Sequence, residues 1–199
     1  GVNPNGQGVV NWWAGRIGYV YKFNGEFQVV TTATPGEGYW MKHAGANTYN
    51  TGDEWPAGGI QITPHNPINA TTGWNLIGGY ENSISASAFT TNPPGLIGAP
   101  IYKFSGSYQA ATTIRPGYGY WIKLTGSGQI ILPGTLSKEN ELNDWFPKDW
   151  GRIILQDATG INYTLYAVKG EVGRSKYELP PAPPDGMFDI RYESGRIAE

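Results

Sequence analysis

Few side chains of this sequence could perform acid–base or metal chemistry, and none stands at a catalytic spacing. The two histidines, His43 and His65, lack a second histidine at the spacing of a zinc site. The adjacent carboxylates Asp53 and Glu54 do not by themselves face each other across a sugar, as glycoside hydrolysis requires. No serine elbow, phosphate loop or His-Glu-x-x-His motif occurs. We therefore expect a protein without enzymatic activity, catalytic residues, metal or cofactor.

Aromatic rings beside carboxylates are the residue types best suited to bind a ligand. A Trp or Tyr ring can cover the apolar face of a pyranose, while carboxylates and amides take its hydroxyls. Tyr49, Asp53, Glu54 and Trp55 combine both in one short segment, so we expect glycan contact there. Calcium held by Asp53, Glu54 and backbone carbonyls is an alternative, but this ion needs roughly six to eight oxygen ligands.

The composition is that of an extracellular β-rich protein. Charged residues make up 15% of the chain and aromatic residues 14%, and 29 Gly with 15 Pro supply frequent turns. Zero cysteines exclude disulfides and thiolate zinc sites. With a net charge of −2 and no basic stripe we expect no nucleic acid partner, and without a long apolar run no membrane insertion. The start at Gly1 fits either a cut piece or a processed product.

An internal repeat organises the chain. Residues 21–42 read YKFNGEFQVVTTATPGEGYWMK, and residues 102–123 read YKFSGSYQAATTIRPGYGYWIK. Thirteen of these 22 positions are identical without a gap, at an offset of 81 residues. Such self-similarity indicates a duplicated structural unit, and the repeated Trp40 and Trp121 are expected in its core.

Each copy predicts an antiparallel β-meander or sandwich unit. The first strand, Tyr-Lys-Phe, alternates aromatic and polar residues and ends in a hairpin turn with Gly at 25 or 106. A Pro-Gly turn separates the second strand from the third. The predicted strands of the two copies cover residues 21–23, 27–32, 38–42 and 59–62, and residues 102–104, 108–113, 119–123 and 129–132.

The two copies differ in a leading strand and in an insertion. Gly73-Trp74-Asn75-Leu76-Ile77-Gly78 precedes the second copy, whereas its counterpart would lie before Gly1. The aromatic segment formed by Val9, Val10, Asn11, Trp12 and Trp13 could replace it only in part, because the motif does not match. A sheet without that strand has an open edge that can recruit one, so we expect residues 9–13 to act in assembly. The insertion at 43–58 holds the predicted glycan site.

The last third of the chain predicts a further β region. Residues 136–145 are the only plausible short helix, and 151–156 with 163–168 predict a hairpin across Ala158-Thr159-Gly160. Residues 179–186, LPPAPPDG, predict an extended linker, and 187–192 one more strand. We expect either half of an immunoglobulin-like sandwich or a strand set that docks on the second repeat. The predicted domains are residues 1–70, 71–135 and 136–199.

Two motifs carry a resemblance to a known group of proteins. The segments 73–78, GWNLIG, and 116–123, PGYGYWIK, resemble the "GWN…PGxGYW" repeats of large secreted proteins of the Bacteroidetes, Chlorobi and Ignavibacteria group. Residues 153–158 and 177–191 are similar to the region that, in those proteins, precedes a sorting domain for type IX secretion. The resemblance covers about residues 15–199 and implies an extracellular or cell-surface location, but no catalytic role.

These observations together predict an all-β fold and a non-enzymatic function. We expect a structural or adhesive module of a secreted bacterial surface protein, with a filament subunit completed by strand exchange as its most specific form. Its partners would be other copies of itself or neighbouring domains of a larger surface protein. The alternative is a carbohydrate-binding module of a secreted polysaccharide-degrading protein, with polysaccharide as its ligand.

Overall fold

A computed structural model describes residues 8–13, 15–34, 36–45, 66–80, 82–132, 145–173, 175–185 and 187–199. The described chain is almost entirely β-structure, which confirms the all-β prediction. One single-turn helix, α1 (Val9–Trp12), precedes the strands. The strands are β1 (Arg16–Phe23), β2 (Phe27–Val30), β3 (Trp40–His43), β4 (Ile68–Ala70), β5 (Gly73–Gly78), β6 (Ile84–Ser85), β7 (Thr90–Asn92), β8 (Tyr102–Phe104), β9 (Tyr108–Ala110), β10 (Thr113–Ile114), β11 (Gly119–Leu124), β12 (Gly128–Ile131), β13 (Gly151–Gln156) and β14 (Asn162–Ala167).

Both copies of the repeat form a sheet with the same strand order. The first copy has the order β2-β1-β3, and the second has β9-β8-β11 with β5 added beside β11. Gly25 and Gly106 adopt positive φ angles of 76° and 78° in the predicted hairpin turns, a conformation that glycine reaches without a steric penalty. The third strand of each copy pairs with the first and not with the second, so the connectivity differs from a simple meander.

The predicted last strand of the second copy, residues 129–132, belongs to a different sheet. It forms β12, which pairs with β4 on one side and β7 on the other. The two sheets enclose an aliphatic core that includes Ile77, Ile114, Ile122 and Ile130, each at most 1% exposed. The predicted strand 59–62 of the first copy lies outside the described residues.

Aromatic side chains of each copy pack against the other copy in an approximately two-fold symmetric arrangement, the approximate two-fold exchange. Phe23 packs on Trp121 with ring centroids 4.9 Å apart, and Phe104, the equivalent of Phe23, packs on Trp40 at 4.7 Å. Phe27 contacts Trp121 at 6.2 Å, and its equivalent Tyr108 contacts Trp40 at 6.4 Å. Such reciprocal contacts are the signature of a two-fold interface. The expectation that both Trp residues are core residues is confirmed, because both are buried.

The C-terminal region docks on this aromatic cluster. Leu165, Tyr177, Leu179 and Ile197 are buried in the same hydrophobic cluster as Tyr102 and Trp121. The predicted hairpin is confirmed as β13 and β14, with Gly160 at a φ of 85° in its turn. Of the two predicted arrangements, the structure therefore bears out docking on the second repeat. The predicted helix at 136–145 lies outside the described residues, except for Trp145.

One prediction for the C-terminal region was wrong, and a second segment packs more closely than a linker requires. The predicted linker at 179–186 is held at its start, because Leu179 and Pro180 are buried and Leu179 donates its N–H to the carbonyl of Gly195 at 2.9 Å. Residues 187–192 form no strand where the structure describes them. Instead, the Tyr192 hydroxyl donates to the carbonyl of Tyr166 at 3.1 Å and ties the segment to β14. The start of the proline-rich segment therefore packs in the same hydrophobic cluster as Tyr177 and Ile197.

Candidate functional site

The exposed strand β13 is the most unusual surface feature of the described residues. All six of its residues are exposed, including the consecutive Ile153, Ile154 and Leu155. Ile154 has the largest exposed fraction of the three, 65%. A strand directs successive side chains to opposite faces, so three consecutive aliphatic residues place apolar surface on both faces of the hairpin.

Among the described residues, the backbone of β13 is paired on one side only. Its only pairing partner among the described strands is β14, in a register from Gly151↔Ala167 to Gln156↔Asn162. The far side of β14 is covered by the chain end, because Tyr166 donates its N–H to Ile197 at 2.9 Å and accepts from Glu199 at 3.0 Å. The outer edge of β13 is therefore positioned to pair with a further strand.

A network of hydrogen bonds on one carboxylate holds the β13–β14 hairpin in shape. Asp157 Oδ1 accepts hydrogen bonds from the Thr159 backbone N–H at 2.8 Å, the Thr159 hydroxyl at 2.7 Å and the Ile161 N–H at 3.0 Å. Its Oδ2 accepts from the Tyr163 hydroxyl at 2.9 Å. These donors, with the Thr159 hydroxyl foremost, lower the pKa of Asp157 to about 2. The turn that presents β13 is therefore well determined.

The structure places the predicted N-terminal assembly segment against its own chain. Val9 is buried and donates its N–H to the carbonyl of Thr31 at 2.9 Å. Trp13 lies against Tyr39 with ring centroids 5.7 Å apart, while Val10 is 57% exposed. Residues 9–12 form a helical turn beside the end of β2, so they do not take the place of the leading strand beside β3. The side chains of Asn11 and Trp12 lie outside the described part of the structure.

A groove of about 730 Å³ runs between the two copies. Part of its lining comes from the first copy and part from residues 66–80, which include β4 and β5, and its apolar side chains include Phe23, Ile68 and Leu76. The polar side chains that line it are Lys22, Asn24, Thr34, Glu37, Asn66, Asn69, Thr71, Asn75 and Tyr80. Its amide, hydroxyl and charged groups could form hydrogen bonds with a polar ligand such as a sugar.

A tyrosine fixes the turn beside this groove, and the second copy repeats the arrangement. The Tyr39 hydroxyl accepts the Thr34 N–H and donates to Glu37 Oε2, both at 2.7 Å. Burial, assisted by the bond to Glu37, raises the pKa of Tyr39 to about 12, so the hydroxyl remains a donor at neutral pH. The equivalent Tyr120 accepts the Arg115 N–H at 2.8 Å.

The predicted glycan residues Tyr49, Asp53, Glu54 and Trp55 lie outside the described residues, as does His65. His43 ends β3, and its Nδ1 lies 2.8 Å from the carbonyl oxygen of Gly45. Within the described ranges, no group of three or more His, Cys, Asp or Glu side chains is placed to hold a metal ion. None of the helices described there has the length and apolar character needed to cross a membrane.

Sequence reasoning predicted β13 as a strand but missed its exposure. The run Ile153-Ile154-Leu155 breaks the alternation of a half-buried strand, but such a run is equally typical of a strand that is buried on both faces. Comparison with known proteins adds no assignment: no family model, no curated protein and no solved structure matched the chain.

Proposed function

We propose that this chain is a non-enzymatic structural or adhesive β module of a secreted or cell-surface bacterial protein. It assembles with copies of itself, or with neighbouring units of a larger surface protein, by pairing the edges of strands. A contact of this kind between different surfaces of successive units extends into a filament unless it closes into a ring.

The exposed apolar edge of β13 is the observation that carries this proposal. Soluble proteins usually protect edge strands with charges, prolines, bulges or a covering element. β13 has one charged residue, Arg152, and presents aliphatic side chains beside a backbone edge that no described strand pairs. A second strand there would gain main-chain hydrogen bonds and cover apolar area at once, which is the usual basis of strand addition.

The repeated aromatic residues support a structural role in a second way. Trp40 and Trp121 are buried in contacts between the copies and are therefore unavailable to a ligand. Aromatic pairs of this kind contribute about 0.5–1.5 kcal/mol each beyond the area that they bury. The most distinctive motif of the sequence thus serves to join units.

Sedimentation velocity over a wide concentration range, with negative-stain electron microscopy of the same samples, tests this proposal. We expect the wild-type chain to associate as its concentration rises. Ile154→Lys should reduce association strongly, because a charge on the exposed face of β13 opposes strand addition. Wild-type protein that remains a single 21.7 kDa species at every concentration would overturn self-association through β13.

Val10→Lys is the matched control for this experiment. Val10 has an exposed fraction of 57%, close to that of Ile154, and lies in the predicted N-terminal assembly segment. We expect Val10→Lys to associate like the wild type. The opposite result, in which Val10→Lys dissociates and Ile154→Lys does not, would move the assembly contact to residues 9–13.

Carbohydrate binding is a second candidate function, and the groove between the copies favours it. The aromatic ring of Phe23 and the amides of Asn24, Asn69 and Asn75 in its lining match the two requirements of a sugar site. Affinity electrophoresis in gels that contain polysaccharide tests this candidate. Retardation that is lost in Asn24→Ala would assign binding to the groove, and loss in Trp55→Ala would assign it to the predicted insertion site.

A further inference from the structure

Strand β5 shows what the leading strand of a unit does. It pairs with β11 along its full length, from Gly73↔Leu124 to Gly78↔Gly119. Its last residues also pair with the first copy: Gly38 donates its N–H to Leu76 at 3.1 Å, and Gly78 donates to Gly36 at 2.9 Å. A single strand therefore completes the sheet of one copy and is clamped by a turn of the other.

The approximate two-fold exchange locates a second position of the same kind. The counterpart of β11 is β3, and β1 is the only described strand that pairs with β3. The counterpart of the clamping segment 36–38 is residues 117–119, where Tyr118 is 59% exposed. The outer edge of β3 at Trp40, Met41 and Lys42, together with residues 117–119, thus matches the two surfaces that hold β5.

Two equivalent glycines mark the path of the strand. A Cβ on Gly38 would lie 2.5 Å from the carbonyl oxygen of Ile77 in β5, so only glycine allows that close approach. At Gly119 the nearest atoms to an added Cβ are 3.7 Å away, an ordinary contact, and φ lies outside the left-handed range. Alanine would therefore fit at 119 in the structure as it stands, but it would obstruct a strand that approached as β5 approaches Gly38.

The grooves of the two copies differ in size and in whether a leading strand contributes to their lining. The second copy has a groove of about 210 Å³ lined by Lys103, Phe104, Ser105, Arg115 and Tyr118. These positions are the equivalents of Lys22, Phe23, Asn24, Thr34 and Glu37, which line the larger groove of the first copy. In the first copy β4 and β5 contribute to the lining, and no leading strand contributes to the lining of the second groove.

We propose that the outer edge of β3 and residues 117–119 accept the leading strand of another unit of this kind. The occupant is an extended segment with the pattern Gly-Trp-Asn-Leu-Ile-Gly. The proposal rests on the proposed function, since it adds a second edge to assembly by strand pairing. The pairs Lys123↔Trp74 and Trp121↔Leu76 fix the register, so the incoming Trp lies opposite Lys42 and the incoming Leu opposite Trp40.

The register gives the incoming Trp a favourable neighbour. In the second copy, Lys123 Nζ lies 5.7 Å from the ring centroid of Trp74, within the range of a cation–π contact. Lys42 is the equivalent of Lys123 and is exposed on β3. It can therefore make the same contact with the Trp of an incoming strand.

Binding of a labelled peptide tests the acceptor edge. A fluorescent peptide of residues 72–79, TGWNLIGG, is titrated with the full chain and followed by anisotropy, with a scrambled peptide as the comparison. We expect binding at least about tenfold tighter than that of the scrambled peptide, a difference that anisotropy resolves easily. Gly119→Ala should weaken binding at least about tenfold, because its methyl group occupies the path of the strand.

The folding of Gly119→Ala is checked on the same sample. Its unfolding midpoint should match that of the wild type, because the added Cβ meets no atom closer than 3.7 Å. Gly173→Ala is the matched control, with open space around the added Cβ, and should bind the peptide like the wild type. Equal affinity of Gly119→Ala and wild type, or of the peptide and its scramble, would overturn the proposal.

Disulfide capture tests the register, and the chain is suited to it because it contains no cysteine. Directly opposite residues of antiparallel strands have Cα atoms about 4.5–5.5 Å apart, which a disulfide can span. Lys42→Cys should therefore capture a peptide with Cys in place of Trp faster than one with Cys in place of Asn. Val29→Cys on the outer edge of β2 is the control, and equal capture there would contradict the assignment to β3.

The outcomes separate this inference from the proposed function. If the peptide fails to bind while Ile154→Lys still abolishes association, the acceptor edge is wrong and assembly through β13 stands. If the peptide binds in the expected register while the wild-type chain is monomeric throughout, the acceptor edge stands and self-association through β13 is wrong.

Discussion

At the scale of single residues, equivalent positions in the two copies differ in their hydrogen bonds and in their burial. In the first copy, Glu37 accepts a hydrogen bond from the Tyr39 hydroxyl, whereas Tyr118, the equivalent of Glu37, is exposed. Tyr102, the equivalent of the half-buried Tyr21, is fully buried against the C-terminal region. The repeated sequence therefore predicted which residues are equivalent, but not how their burial and contacts differ between the copies.

Two buried tyrosines of one cluster should respond in opposite ways to loss of the hydroxyl. The Tyr102 hydroxyl is buried and has no hydrogen-bond partner among the residues that the structure describes, and burial strongly raises its pKa. Tyr102→Phe should raise the free energy of unfolding by about 1 kcal/mol, because it removes an unsatisfied polar group. The measurement is chemical denaturation at neutral pH.

Tyr108→Phe is the comparison. In the wild type, the Tyr108 hydroxyl donates to the carbonyl of Pro181 at 2.7 Å and ties the second copy to the C-terminal region. Loss of this bond should lower the free energy of unfolding by about 1 kcal/mol. A destabilisation by Tyr102→Phe as large as that by Tyr108→Phe would contradict the described environment of Tyr102.

At the scale of elements, the stability of the β13–β14 hairpin should fall at acid pH. The pKa of Asp157 is about 2 in the folded chain, below its ordinary value of 3.8, because Thr159, Ile161 and Tyr163 donate hydrogen bonds to the carboxylate. A lowered folded-state pKa stabilises the protein above about pH 4 and loses that effect as pH falls toward 2. Thermal unfolding between pH 2 and 7 measures this change.

The variant Asp157→Asn isolates that contribution. It should be less stable than the wild type at pH 6, and the difference should shrink as pH approaches 2, where the wild-type carboxyl is also neutral. Asp149→Asn, at an exposed position in the preceding turn, is the control. A constant difference between Asp157→Asn and the wild type across the pH range would rule out this role for the carboxylate.

Most strands were predictable because their signals are local. Alternation and turn glycines placed β5, β8 and the β13–β14 hairpin, and the repeat placed β3 from β11. The partner of each strand in its sheet was harder to predict, since β12 joins β4 and β7 through pairings that no local pattern encodes. The burial of Leu179 and Pro180 was not predictable either, because it depends on an aromatic cluster formed by residues far away in the sequence.

At the scale of the whole molecule, units are joined by aromatic exchange and by shared strands. Trp40, Trp121 and the C-terminal residues Tyr177 and Ile197 belong to one hydrophobic cluster, so all three predicted regions contribute to one core. The leading strand β5 adds backbone pairing between the copies. The same two devices, an apolar face and an open strand edge, recur at β13, where they are exposed.

Exposure of a strand could not be predicted from its own residues. The aliphatic run 153–155 is as compatible with a buried strand as with an exposed one, and the choice depends on what packs beside it. In the fold, the chain end covers β14 and leaves β13 at the margin. The assembly surface is thus a property of the whole molecule.

Hydrogen exchange measured by mass spectrometry at several protein concentrations tests assembly through β13 most directly. We predict that the amides of residues 151–156 that point away from β14 exchange fast in dilute samples and become protected as concentration rises, while buried amides of β11 remain protected throughout. Pairing of the outer edge with another strand is what would slow exchange there. If those amides exchange equally fast at concentrations where the chain associates, assembly through β13 is wrong.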